Sequence, residues 1–172
     1  MKRPQLNEYA PYADAYVSLV PVDDDILQLL TDNQQSSFEL FYNLDDEKAN
    51  SNYSYAPGKW TVKQLLGHMV DTERVFGFRA FCFSRENCAL PGFEQDEYVN
   101  STDYNSRTIQ SLAQEFKIAR ESNLYVFRNL SEAQLLRTGI ASGVKVTVRA
   151  LVYLTAGHEL YHLRLLREKY ML

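Results

Sequence analysis

Only two cysteines, Cys82 and Cys88, occur in the 172 residues. Two thiols cannot build a disulfide framework, and C-x5-C is not a familiar metal knuckle, so buried or idle thiols are expected. No apolar run approaches the ~20 residues that a bilayer span requires. The opening MKRPQLNEYAPYADAYVSLV carries Pro, Asn, Glu and Asp where a secretory signal would be apolar. A cytoplasmic protein without a membrane partner is therefore expected. Positive charge is scarce too: 18 basic against 22 acidic residues give a formal charge of -4, and no dense Lys/Arg cluster offers a phosphate-binding stripe. Nucleic acid is not an expected partner.

Apolar residues, by contrast, make up 45% of the chain, with 12 Tyr and 9 Phe, which is enough to pack an interior and argues against disorder. The length suits a single domain over 1–172, with an N-terminal strap (1–22) and a helical bundle (23–172). Tyr9, Tyr12 and Tyr16, set among prolines, predict that the strap lies on the bundle exterior, since three wet tyrosines would be costly.

Four segments repeat apolar residues at helical spacing. The first starts at Asp23, Asp24 and Asp25, whose charge suits a helix N-terminus, and is expected to end near Asp45. The second opens at Thr61 with Gln64 three residues on, a capping-box pattern, and runs toward Ser84. The third follows Asn105 or Ser106 and carries Ile109, Leu112, Phe116, Leu124, Phe127 and Leu130. Thr147 is the expected cap of the fourth, which reaches about Lys169. GIASGVKVTV (139–148) predicts a short extended piece or hairpin. The fold class is all-α, a four-helix bundle with long connections. Between the second and third helices, RENCALPGFEQDEYVNSTDY is long for a structureless loop. It is expected either to border a site, with Phe93 and Tyr98 in contact, or only to pack on the bundle or on a second subunit.

The three histidines are His68, His158 and His162. His158 and His162, four residues apart, share the face occupied by Leu151, Leu154 and Leu165 and so point inward, and His68 is placed to meet them across the core. A lone inward histidine is usually a hydrogen-bonded core residue. Two on one apolar face need partners for their ring nitrogens, which a shared divalent cation would supply together. Three neutral imidazoles suit Zn, Ni, Fe or Cu and leave coordination positions open. Gly67 and Gly157 each precede the first histidine of their helix, and mid-helix glycine asks for a reason such as close approach, ordinary small-residue packing being the alternative.

His158, Glu159 and His162 also spell H-E-x-x-H, the pattern of zinc peptidases. Only ten residues follow His162, and Leu165 and Glu168 stand where a metzincin has glycine and histidine. The match is read as coincidental.

KWTVKQLLGHMVDTERVF (59–76), AGHELYHLRLLREKY (156–170) and LPGFEQDEYV (90–99) resemble the DinB-like superfamily of metal-binding four-helix bundles, which includes S-transferases that use bacillithiol or mycothiol. The resemblance implies a three-histidine site of His68, His158 and His162, nickel or zinc as the divalent metal, and a possible homodimer. The resemblance does not imply one reaction; because an open-coordinate divalent metal lowers the pKa of a bound thiol, the function expected is metal-dependent transfer of a low-molecular-weight thiol to a small substrate. Competing expectations are a non-catalytic metal- or ligand-binding stress-response bundle and a metal-dependent hydrolase. No catalytic or cofactor-binding residue is assigned. Glu159, Asp71 and Glu73 are acid/base candidates that otherwise read as solvated or salt-bridged charges. Arg74 and Arg79 could serve an anionic thiol or face water, and Trp60 reads as a packing residue.

Overall fold

A computed structural model of the chain describes residues 1–44 and 52–172. Two short 3-10 turns, Leu6–Glu8 and Pro11–Ala13, lead into the single-turn helix α1 (Asp14–Val17). Helix α2 spans Ile26–Tyr42 and α3 spans Val62–Phe83. Strand β1 (Ala89–Leu90) and the short helix α4 (Gln95–Ser101) precede α5 (Ile109–Arg128). After one turn of α6 (Glu132–Leu135), the hairpin of β2 (Thr138–Ala141) and β3 (Val144–Thr147) leads into α7 (Val148–Leu165). None of the described helices is long and apolar enough to cross a membrane.

Side-chain caps set the helix starts. The Asp25 carboxylate accepts from the Leu27 amide, so α2 begins at Ile26 and leaves Asp23 and Asp24 outside; the expected end near Asp45 lies outside the described residues. Thr61 and Gln64 close both halves of their capping box on α3. Thr108, rather than Asn105 or Ser106, caps α5, because residues 104–106 turn as a 3-10 segment of their own. Thr147 caps α7, which widens after Leu165 into one π-turn over Leu166–Tyr170.

Helices α2, α3, α5 and α7 form the bundle. Both α2 and α3 pack against α5 and α7, so these two consecutive long helices stand diagonally rather than side by side. The long connection is not structureless: α4 buries Val99, and β1 pairs in parallel with β2, Ala89 opposite Ile140. The β2–β3 turn uses Ser142 (φ 52°) and Gly143 (φ 76°), the two positive φ angles that tight hairpins favour.

Residues 1–22 run over one end of the bundle, α1 lying on α7. The Arg3 guanidinium donates to the carbonyls of Val17 and Val20, and Glu8 accepts from Thr147 Oγ1 and Arg149. Tyr9 is buried and Tyr16 half-buried, but Tyr12 is 70% exposed. Covering three tyrosines was expected; the strap covers two.

Two apolar clusters fill the interior. One gathers Ile26, Leu30, Phe83, Leu124, Phe127 and the first half of α7; the other gathers Phe41, Leu65, Leu66, Met69, Leu112 and Phe116. Ser37, Glu73, Arg120 and Glu159 come from the stretch between them on each helix and are all buried.

Candidate metal centre

His68 comes from α3 and His158 and His162 from α7, and all three are buried. The Nε2 atoms of His68 and His162 lie 2.9 Å and 3.0 Å from the same atom, Nε2 of His158. A neutral imidazole nitrogen carries either one proton or one lone pair. Nε2 of His158 therefore cannot satisfy both neighbours, and at least one contact stays unmatched. Nδ1 of His68, Nδ1 of His162 and the hydroxyl of Thr72, one turn beyond His68, have no hydrogen-bond partner among the described residues. Three nitrogen donors within 4.8 Å of one another are spaced for a single cation, whose bonds to imidazole run about 2.0–2.1 Å.

Electrostatics point the same way. Burial lowers His68 to about 4. Burial, then the neighbouring His68, lowers His162 to about 3. His158 is pushed well below the ordinary value by burial, by the other two rings and by Arg120. All three are neutral at pH 7, so each has a lone pair to give.

Aromatic rings enclose the cluster: Trp60 against His68 (4.8 Å between centroids), Tyr16 and Phe76 against His158 (5.6 and 6.0 Å) and Tyr161 against His162 (5.2 Å). A cleft of about 380 Å³ reaches His162, bordered by Tyr16, Lys59, Trp60, Gln95, Asp96 and Tyr161. Trp60 thus packs on a histidine and also lines the cleft. The long connection does border this cleft, through Gln95 and Asp96 of α4. Phe93 and Tyr98, the expected contacts, instead meet each other edge to face, 5.2 Å between ring centroids, beside Phe78 and Arg79.

The glycines before the histidines admit neighbours. A Cβ on Gly157 would come within 2.2 Å of the Tyr16 carbonyl, and one on Gly67 within 2.6 Å of the Tyr104 ring. Gly157 is therefore what lets the strap lie against α7 and set Tyr16 beside His158.

The acid/base candidates face elsewhere. Arg120, fully buried, donates from Nε and Nη2 to the two carboxylate oxygens of Glu73 at 2.8 and 2.9 Å, and from Nη1 to Glu159 at 2.7 Å and to the Leu30 carbonyl at 3.2 Å. Ser37 donates to the other Glu159 oxygen at 2.6 Å, and Asn123 donates to Glu73. Burial alone would lower the Arg120 pKa, but the two carboxylates outweigh it and raise it. Glu159 is committed to this network, so the middle residue of H-E-x-x-H does not face the space between the histidines. Asp71 accepts from the Tyr104 hydroxyl at 2.5 Å, and Arg74 pairs with Glu115 on the outer face. Cys82 and Cys88 are both free and half-buried.

Sequence reading missed Arg120. Its signal was the 112–116–120–124 register, which puts the residue on the same buried face as Leu112, Phe116 and Leu124.

Residues 29–166 match the model of a family described as the DinB superfamily. Among solved structures, YfiT from Bacillus subtilis, described as "a probable metal-dependent hydrolase with an unusual four-helix bundle topology", has a TM-score of 0.69 over 98% of this chain and 93% of that chain. At 14% identity this likeness is one of fold. No curated protein matches the sequence.

Proposed function

Because the chain belongs to the DinB superfamily, we propose that His68, His158 and His162 hold one divalent cation, nickel or zinc, and that the protein is a metal-dependent enzyme acting on a small molecule bound in the cleft beside His162. The observation carrying this reading is the convergence of three buried, neutral Nε2 atoms that cannot satisfy one another by hydrogen bonding. Three protein ligands leave positions for a small ligand, unlike a closed structural site. When bound, such a cation lowers the pKa of a coordinated thiol or water and makes a nucleophile available at neutral pH.

The chain's own residues prepare the site. Burial keeps the imidazoles neutral, so each carries one unprotonated ring nitrogen that a cation could take. Trp60, Tyr16 and Tyr161 present apolar walls to a ligand and limit water at the cluster. Lys59 and Asp96 offer one charge of each sign along the same cleft.

The reaction favoured is transfer of a low-molecular-weight thiol to a small electrophile. It is supported by the resemblance of 59–76 and 156–170 to the DinB-like superfamily, which includes thiol-dependent S-transferases. Hydrolysis is the second reading, favoured by the description of YfiT, whose fold this chain shares. Elemental analysis of untagged protein is expected to find about one divalent metal per chain. Thiol conjugation to a small electrophile, compared before and after chelation, then separates the readings. Metal-dependent conjugation supports transfer, and metal-dependent ester cleavage without conjugation supports hydrolysis. Full metal content with neither activity would make the bundle a binding protein.

A further inference from the structure

Two arginines of the bundle interior are treated in opposite ways. Arg120 meets two carboxylates. Arg79, on the last turns of α3, is only 7% exposed yet pairs with no carboxylate among the described residues. Its Nη2 donates to the Pro91 carbonyl at 2.9 Å and to the Ser142 hydroxyl at 3.3 Å, both neutral acceptors, while Nε and Nη1 have no described partner and are not wholly enclosed. Its nearest ionisable neighbours are the phenols of Tyr12 and Tyr98, and burial lowers its pKa. Burying a guanidinium without an anion is costly.

The side chain stands at the wall of a chamber of about 80 Å³ between the strap, α3, the hairpin and α7. The remaining walls are mostly apolar, Ala13, Val146, Leu151 and Leu154 among them. Tyr16 lines both this chamber and the cleft that reaches His162. An apolar enclosure with a single unmatched cation selects a small amphipathic anion.

We propose that this chamber is a second small-molecule site, in which Arg79 pairs with the carboxylate of a short-chain organic acid whose apolar body lies among Ala13, Val146, Leu151 and Leu154. The site uses no histidine, so it stands apart from the metal reading. If both sites hold ligands, Tyr16 is the partition between them.

Calorimetric titration of the full chain with butyrate and with its uncharged isostere butyramide tests the assignment, on chelated and on metal-loaded protein. Butyrate binds in both states, and butyramide binds about tenfold more weakly or worse. Arg79→Gln loses a similar factor for butyrate with metal content unchanged, and Arg79→Lys recovers part of it. Should Arg79→Gln fail to fold, the Nε–H resonance of Arg79 in the parent protein answers instead: it shifts with butyrate and not with butyramide. The proposal is overturned if butyrate does not bind, if both probes bind alike, or if Arg79→Gln binds butyrate as the parent does. Butyrate binding that requires the metal would place the carboxylate at the histidines and would also end it, leaving the metal reading intact. Butyrate binding in a protein that takes up no metal would do the reverse.

Discussion

His158 and Glu159 are neighbours on α7, yet they open onto two different interiors. On the Glu159 side, Arg120, Glu73, Ser37 and Asn123 match donors to acceptors at hydrogen-bond distance, with a contribution from each long helix. On the His158 side, two nitrogens crowd a third that can match only one of them, and two further ring nitrogens have no partner among the described residues. Both regions are buried and polar, so burial does not distinguish a structural cluster from a binding one. Saturation does. A network that has used its hydrogen-bonding capacity can only hold the fold, whereas one with capacity left over is suited to something besides the chain.

The largest expected effect comes from breaking the saturated side. Arg120→Met leaves Glu73 and Glu159 facing each other in the core without a cation, and is expected to cost about 3–5 kcal/mol of stability. Urea unfolding in the presence of chelator measures this, and a loss below about 1 kcal/mol would erase the contrast between the two clusters.

Breaking the unsaturated side should act on the metal instead. His158→Ala is expected to reduce metal content from about one per chain to nearly none. It should also abolish the metal-dependent rise in stability, about 2.7 kcal/mol in the parent when free metal is 100-fold above its Kd. Unchanged stoichiometry by elemental analysis in the triple histidine-to-alanine variant would show that the cluster is not the ligand set.

Glu159→Gln sharpens the boundary, because it alters the saturated side at the residue next to a proposed ligand. Loss of a charge-assisted bond to Arg120 is expected to cost about 1.5–3 kcal/mol and to leave metal content as it was. Any activity should fall much less than on loss of a histidine. Glu159-dependent peptide cleavage, measured on an unstructured substrate, would revive the peptidase reading of H-E-x-x-H.

The smallest effect is expected at the strap. The hydrogen bond from Arg149 holds Glu8 below the usual carboxylate range against the opposing effect of burial. A carboxyl with a lowered folded-state pKa adds stability above its unfolded value of 4.5, and that stability is lost as pH falls through the folded value. Glu8→Gln should therefore cost about 1 kcal/mol at pH 7 and nearly nothing once the parent's carboxyl is protonated. Parallel pH-stability curves for parent and variant would contradict it.

The histidine trio was legible because helical spacing alone puts His158 and His162 on one apolar face, and because the chain has only one other histidine. Thr61, Gln64 and Thr147 announced two helix starts through local capping chemistry, and GIASGVKVTV (139–148), read as a short extended piece or hairpin, forms most of the hairpin over 138–147. Arg120 hid because charge is ordinarily read as exposure, and only its register argued otherwise. The seven-residue α4 was too short to show a period, so Gln95 and Asp96 were passed over in favour of the bulkier Phe93 and Tyr98. The reason for Gly157 lies 141 positions away at the Tyr16 carbonyl, a contact that no local pattern records. The diagonal placement of α2 and α3 was likewise beyond helical periodicity, which fixes faces and not neighbours.

That diagonal placement also governs how the site comes into being. With α2 and α3 across from each other, the first two long helices cannot form a stable hairpin and wait for α5 and α7 to fill the spaces between them. His68 meets His158 across 90 positions, and Ser37 meets Glu159 across 122. Loop closure over such spans must precede the contacts that compensate for it, which slows assembly and places the centre among the late events of folding. Neither the segment up to α3 nor the segment from α5 onward contains all three histidines. A nascent chain therefore cannot complete the three-nitrogen set until α7 has been synthesised and has docked, and under the proposed function metal capture would be a sign that folding has finished.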